Sequence, residues 1–124
     1  MTPQSNKRLF RASAADQDPA RRYVLLALLQ AEQDKPREIV LGKLCSSCEP
    51  SIYWRIDGGI CSLAMPAGLG GSQVREALES MAGFDKMEGF PKQSDLLVEV
   101  GESRMDWVVI LAGPESQVIL RRKS

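Results

Sequence analysis

The chain has 124 residues, no histidine, and 16 basic side chains against 16 acidic ones. That length suits one domain with its own core, and zero net charge argues against a partner as anionic as a nucleic-acid backbone. The missing imidazole removes the Ser-His-Asp and Cys-His triads, the commonest general base and the commonest metal ligand.

Residues 1–17 are polar, with Leu9 and Phe10 as their only bulky apolar side chains. They read as a flexible N-terminal tail, or as a short docking segment anchored by Leu9-Phe10 between Arg8 and Arg11. Residues 18–124 read as a single domain. No apolar run is long enough to span a membrane, and the N-terminus lacks the apolar core of a signal peptide, so a cytoplasmic location is expected. In that setting Cys45, Cys48 and Cys61 are expected as reduced thiols.

Asp18-Pro19 predicts a helix start: Asp suits the N-cap, and Pro suits a first turn whose N–H has no partner anyway. The run Tyr23 to Leu29 is almost wholly apolar, so the helix should bury a wide face. Pro36 disfavours helical geometry at Lys35 and ends it. Glu38 to Leu44 holds Ile39, Val40 and Leu41 and predicts a short strand. Ile52, Trp54 and Ile56 then alternate with Tyr53, Arg55 and Asp57, the period-two pattern of a half-buried strand. Asp57-Gly58 predicts a tight hairpin turn, with Ile60 to Met65 as the returning strand.

Residues 66–71 read as a flexible connector, and Ser72 as the cap of a second helix. Val74, Ala77, Leu78, Met81 and Ala82 share one face of it, while Arg75, Glu76 and Glu79 should face water. Gly83 fits the residue that closes such a helix. Residues 84–94 read as a loop. Leu96 to Val100, Met105 to Ala112 and Gln117 to Arg122 predict a three-stranded meander. The order helix, strand, hairpin, helix, three strands predicts an α+β fold, two main helices on a largely antiparallel sheet of about five to six strands. Trp54, Ile56, Leu28, Leu78 and Met81 are the expected core between the layers.

Cys45-Ser46-Ser47-Cys48 has C-x-x-C spacing with Cys61 as a third thiol, too few ligands for a closed zinc site, so no metal is expected. The glycine-rich stretch before the second helix lacks a lysine or a G-x-x-x-x-G-K-[ST] pattern, so no nucleotide cofactor is expected. Arg55 and Asp57 flank the hairpin turn, where a local ion pair and a partner contact are both open readings.

These motifs, in this order, resemble the domain that precedes the motor in type II secretion and type IV pilus ATPases. The family's "R-I-D-G" is matched by Arg55-Ile56-Asp57-Gly58, and its "M-A-G-x-D" by Met81-Ala82-Gly83-Phe84-Asp85. Its first helix is echoed by Pro19 to Ala31, and its "V-V-L-R" strand by Val118-Ile119-Leu120-Arg121. The resemblance implies a PAS-like fold. It also implies a domain that works by packing against a motor, where its arginines can reach nucleotide held by that motor. Arg55 and Arg121 are the arginines kept at matching positions; Tyr53 and Val108 stand where the family has two others. The expected role is a non-catalytic, stand-alone interaction or regulatory module and not an enzyme. Arg55, Asp57 and Arg121 are its candidate contact residues, and a secretion or pilus ATPase or a second copy its partner. A PAS-like sensor holding a small ligand between helix and sheet is the alternative.

Overall fold

The computed structural model describes residues 8–11, 18–84, 89–113 and 117–123. Strand β1 (Arg8–Arg11) comes first, then helix α1 (Pro19–Asp34), strand β2 (Glu38–Gly42) and the hairpin of β3 (Ser51–Ile56) and β4 (Gly59–Leu63). Helix α2 (Gly71–Ala82) follows, then β5 (Lys92–Val100), β6 (Ser103–Leu111) and β7 (Val118–Arg122). The seven strands form one sheet in the order β1-β5-β6-β7-β2-β3-β4, antiparallel throughout except that β1 runs parallel to β5. Two helices on one face of this sheet make the fold α+β, as the sequence predicts.

Chemistry sets most element ends where expected. Asp18 is the N-cap residue of α1 and Pro19 its first helical residue, although the Asp18 side chain makes no capping hydrogen bond. Helix α1 stops at Asp34 because Pro36 excludes helical geometry at Lys35. Lys35 instead takes a left-handed conformation (φ 49°), and its N–H donates to the Ala31 carbonyl at 2.9 Å. Gly83 closes α2 at φ 73°, a geometry that suits glycine. The β3–β4 turn needs only Gly58 in the left-handed region (φ 84°); Asp57 does not enter it.

Several expectations are corrected. The N-cap of α2 is Gly70, not Ser72, and Gly70 N–H donates to Gln73 Oε1 at 2.7 Å. Arg75 does not face water: its side chain is 14 % exposed, ion-paired with Glu79 at 3.4 Å and donating to the Gly113 carbonyl. Residues 92–94, expected as loop, begin β5. Within the expected tail, Arg8–Arg11 forms an edge strand, and the Phe10 side chain packs against the core. The rest of that tail, residues 85–88 and the turn residues 114–116 lie outside the described residues.

The core lies between the helices and one face of the sheet. Val24, Leu28, Val74 and Leu78 of the helices meet Ile39, Ile52, Leu96, Trp107, Val109 and Leu120 of the strands, all 2 % exposed or less. Trp54 and Met81 join them as expected, but Ile56 is 38 % exposed. Ile56 has the correct parity for the core face but sits at the hairpin tip, past the last turn of α1. In α1 the apolar run includes one outward position, Leu26, which is 49 % exposed.

Tyr23 ties α1 to the hairpin. Its hydroxyl donates to the Leu63 carbonyl of β4 and accepts from the Ile52 N–H of β3 at 2.9 Å. Tyr23→Phe strands both backbone groups and should cost about 1–3 kcal/mol in denaturant unfolding. Burial holds the Tyr23 pKa above its ordinary value, partly opposed by the Ile52 hydrogen bond. Because the folded value is raised, this stabilisation is complete below the unfolded value, near about pH 10, and is lost as pH climbs through the folded one. The stability difference between wild type and Tyr23→Phe should therefore shrink in strong alkali; a constant difference would remove Tyr23 from the alkaline transition.

Candidate functional site

Strand alternation sends a second set of side chains to the face opposite the helices. Cross-strand register arranges them in two rows. In one, Gln93 pairs with Ile110, Ile110 with Ile119, Ile119 with Val40, Val40 with Tyr53, and Tyr53 with Ser62. Adjacent strands lie about 4.8 Å apart, so Ile110, Ile119, Val40 and Tyr53 form an apolar stripe roughly 15 Å long. All four are half-buried by their neighbours, yet none belongs to the core cluster or packs against it. Tyr53 is held at the end of the stripe by Gln117, whose Nε2 donates to the phenol oxygen at 3.3 Å.

The neighbouring row is charged. Asp95 pairs with Val108, Val108 with Arg121, and Arg121 with Glu38. One step beyond the Ile39–Trp54 pair, Glu38 comes beside Arg55, which in turn pairs with the exposed Ile60 of β4. Glu38 therefore stands between two arginines but bonds to one of them. Arg121 donates to Glu38 Oε2 through Nε at 2.9 Å and Nη2 at 2.8 Å. Arg55 is exposed and has no ion pair or side-chain hydrogen bond among the described residues. At the far end of the row, Lys123 Nζ donates to Asp95 at 2.8 Å, and that hydrogen bond raises the lysine pKa.

Arg37, Glu38, Val40, Tyr53, Trp54, Arg55, Arg121 and Arg122 line one groove of about 780 Å³ at the junction of the rows, where the strand ends bring residues of both parities to its wall. The structure thus brings together Arg55 and Arg121, two of the three residues singled out in the sequence. It adds Arg37, which sequence reasoning missed; its guanidinium too lacks an ion-pair partner among the described residues. Strand alternation gave no signal for it, since Arg37 shares the parity of the buried Ile39 and Leu41; it comes to the groove because it lies at the end of β2, ahead of Glu38. Asp57 stays at the hairpin tip, lining a separate shallow depression with Arg55, Ile56 and Asp34, and makes no ion pair with Arg55. The local Arg55–Asp57 pair is absent among the described residues.

Arg122 belongs to the opposite face. Its Nη1 bonds to the Glu32 carboxylate of α1 at 3.1 and 3.2 Å, Nε donates to the Pro36 carbonyl at 3.0 Å, and the guanidinium stacks 4.8 Å from the Trp107 ring centre. It is a structural clamp between β7 and the end of α1. Trp54 has a similar part, its Nε1 donating to Asp34 at 2.8 Å.

No protein-family model and no curated protein matches the chain.

Cys45 and Cys48 are not the reduced thiols expected: they form a disulfide in the exposed β2–β3 loop. The Ser46-Ser47 turn, closed by the Cys48 N–H on the Cys45 carbonyl at 3.1 Å, brings their Cα atoms to 5.1 Å, within bonding range. Cys61 is free and half-buried on β4, packed against the core. Among the described residues there is no group of three or more Cys, Asp or Glu side chains placed to hold a metal ion, and no helix long and apolar enough to cross a membrane.

A second groove, about 740 Å³, runs between the start of α1, the connector at residues 66–69 and α2. Its charged rim is largely satisfied internally, with Arg21 on Asp18 at 3.7 Å and Glu79 on Arg75. The space between helices and sheet is filled by Trp107, Leu28, Leu78 and their neighbours.

Proposed function

We propose that the protein is a non-catalytic interaction module that docks a partner on the outer face of its sheet. The observation that carries this reading is the apolar stripe Ile110–Ile119–Val40–Tyr53, which takes no part in the core and lies beside an arginine that makes no ion pair among the described residues. A flat apolar stripe with a polar border is the composition expected of a docking surface. Arginine suits its rim, because a planar fork makes several charge-assisted hydrogen bonds at once. The resemblance of the Arg55-Ile56-Asp57-Gly58 hairpin to the pre-motor domain of traffic ATPases makes a secretion or pilus ATPase the first partner to test. A second copy of the chain is the other.

The small-ligand sensor draws less support, since the layer where such a ligand would sit is occupied by side chains. Arg55→Ala separates folding from binding: an exposed, unpaired side chain should change stability by no more than about 0.5 kcal/mol. Affinity capture from the native host should recover a secretion or pilus ATPase with wild type and lose it with Arg55→Ala at equal melting temperature. Equal capture by both proteins would take Arg55 out of the contact, and capture of no ATPase by either would refute that partner.

A further inference from the structure

The charges around the groove on the outer face are matched in part only, and the remainder there has one sign. Arg121 is neutralised by Glu38, and Lys123 by Asp95. Arg37 and Arg55 remain in the groove without ion pairs among the described residues, beside the apolar Val40–Tyr53 end of the stripe. We propose that this face binds an acidic amphipathic segment of a partner protein, its apolar side chains on the Ile110–Ile119–Val40–Tyr53 stripe and its carboxylates on Arg37 and Arg55. This rests on the interaction-module reading and gives the partner its chemistry.

Three features favour such a segment over other anions. The stripe is roughly 15 Å long, the reach of four strands, which suits two to three turns of helix or a short extended segment laid across the sheet. Its length also exceeds what a small anion would cover. Glu38, Asp95 and Asp106 stand on the same face and would repel a continuous phosphate backbone, and two unpaired arginines make a weak counterion site for one. Carboxylates spaced along a peptide can instead meet the arginines singly while its apolar side chains avoid the acidic positions. Partly desolvated arginine–carboxylate pairs beside an apolar stripe give specificity and register as well as attraction.

The test uses fluorescein-labelled peptides of about 16 residues, long enough for the stripe, with leucines at helical spacing and glutamates between them. One twin carries glutamine in place of glutamate and another carries lysine. Anisotropy titration at low salt should show the glutamate peptide binding at least about tenfold tighter than the glutamine twin, with the advantage shrinking as salt is added. The double variant Arg37→Glu/Arg55→Glu, checked for an unchanged melting temperature, should lose the glutamate peptide and gain the lysine twin. Ile119→Asp should weaken every peptide.

Equal affinity for the glutamate and glutamine peptides, still lost in Ile119→Asp, would overturn the charge assignment while leaving the interaction module intact. Displacement of the glutamate peptide by millimolar inorganic phosphate would overturn the proposal in favour of a small-anion site. Binding of none of the peptides would also overturn it, whereas failure of the module reading itself is read separately from the capture experiment.

Discussion

Trp107→Ala is expected to lower stability by about 3–5 kcal/mol, the largest single-site loss in the molecule. Trp107 is fully buried near the middle of β6, paired with Leu96 on β5 and Arg122 on β7. Truncation removes the largest fully buried side chain of the core and leaves a cavity that a seven-stranded sheet cannot collapse. It also takes away the ring under the Arg122 guanidinium, whose Nη2 has no hydrogen-bond partner among the described residues. The clamp from β7 to Glu32 and Pro36 should then loosen. Chemical denaturation should show a midpoint far below that of wild type. An unchanged midpoint would mean that β6 is not the centre of the core.

Leu78→Ala should cost about 2–5 kcal/mol, with the spread set by how far α2 can settle into the gap. Leu78 has no exposed surface, and its helix packs on α1 and over β1, β2 and β5. The control is Leu26→Ala on α1, where the side chain is half exposed and the loss should stay below about 1 kcal/mol. Both measurements use the same urea titration. If Leu78→Ala unfolds with wild type, the buried face of α2 is misplaced.

Where a residue's environment is set by its own neighbours in sequence, the fold was legible. The spacing of Val74, Ala77, Leu78, Met81 and Ala82 placed the buried face of α2, and the alternation Ile52–Trp54 placed the inner face of β3. Local pattern failed where a distant element decides. Ile56 carries the inward parity, but at the hairpin tip only the end of α1 at Asp34 comes near it, and it stays 38 % exposed. Arg75 looks solvent-facing on its helix, yet the Gly113 carbonyl draws it in. Strand β1 is four residues long and pairs in parallel with β5, a contact that four residues cannot announce. The Cys45–Cys48 bond depends on oxidation as much as on spacing, and C-x-x-C is equally compatible with free thiols.

The candidate site was legible residue by residue but not as a site. Alternation alone put Arg55 on the face away from Trp54. That Arg121 stands two strands away, with Glu38 between them, follows from β7 inserting between β6 and β2, a pairing between distant parts of the chain. Glu38 then decides which arginine is neutralised and which stays without an ion pair among the described residues. The apolar stripe is likewise invisible in sequence, since its members Val40, Tyr53, Ile110 and Ile119 come from four separate strands.

Whether the outer face is the docking surface is tested most directly by methyl NMR of the protein, titrated with the glutamate peptide. Val40, Ile60, Ile110 and Ile119 methyl signals should shift or broaden, while those of Val24, Leu28 and Leu78, sealed between the layers, should stay in place. Changes centred instead on Leu69 and Ala77, in the groove between the helices and the connector, would contradict this account and move the binding site to the other side of the molecule.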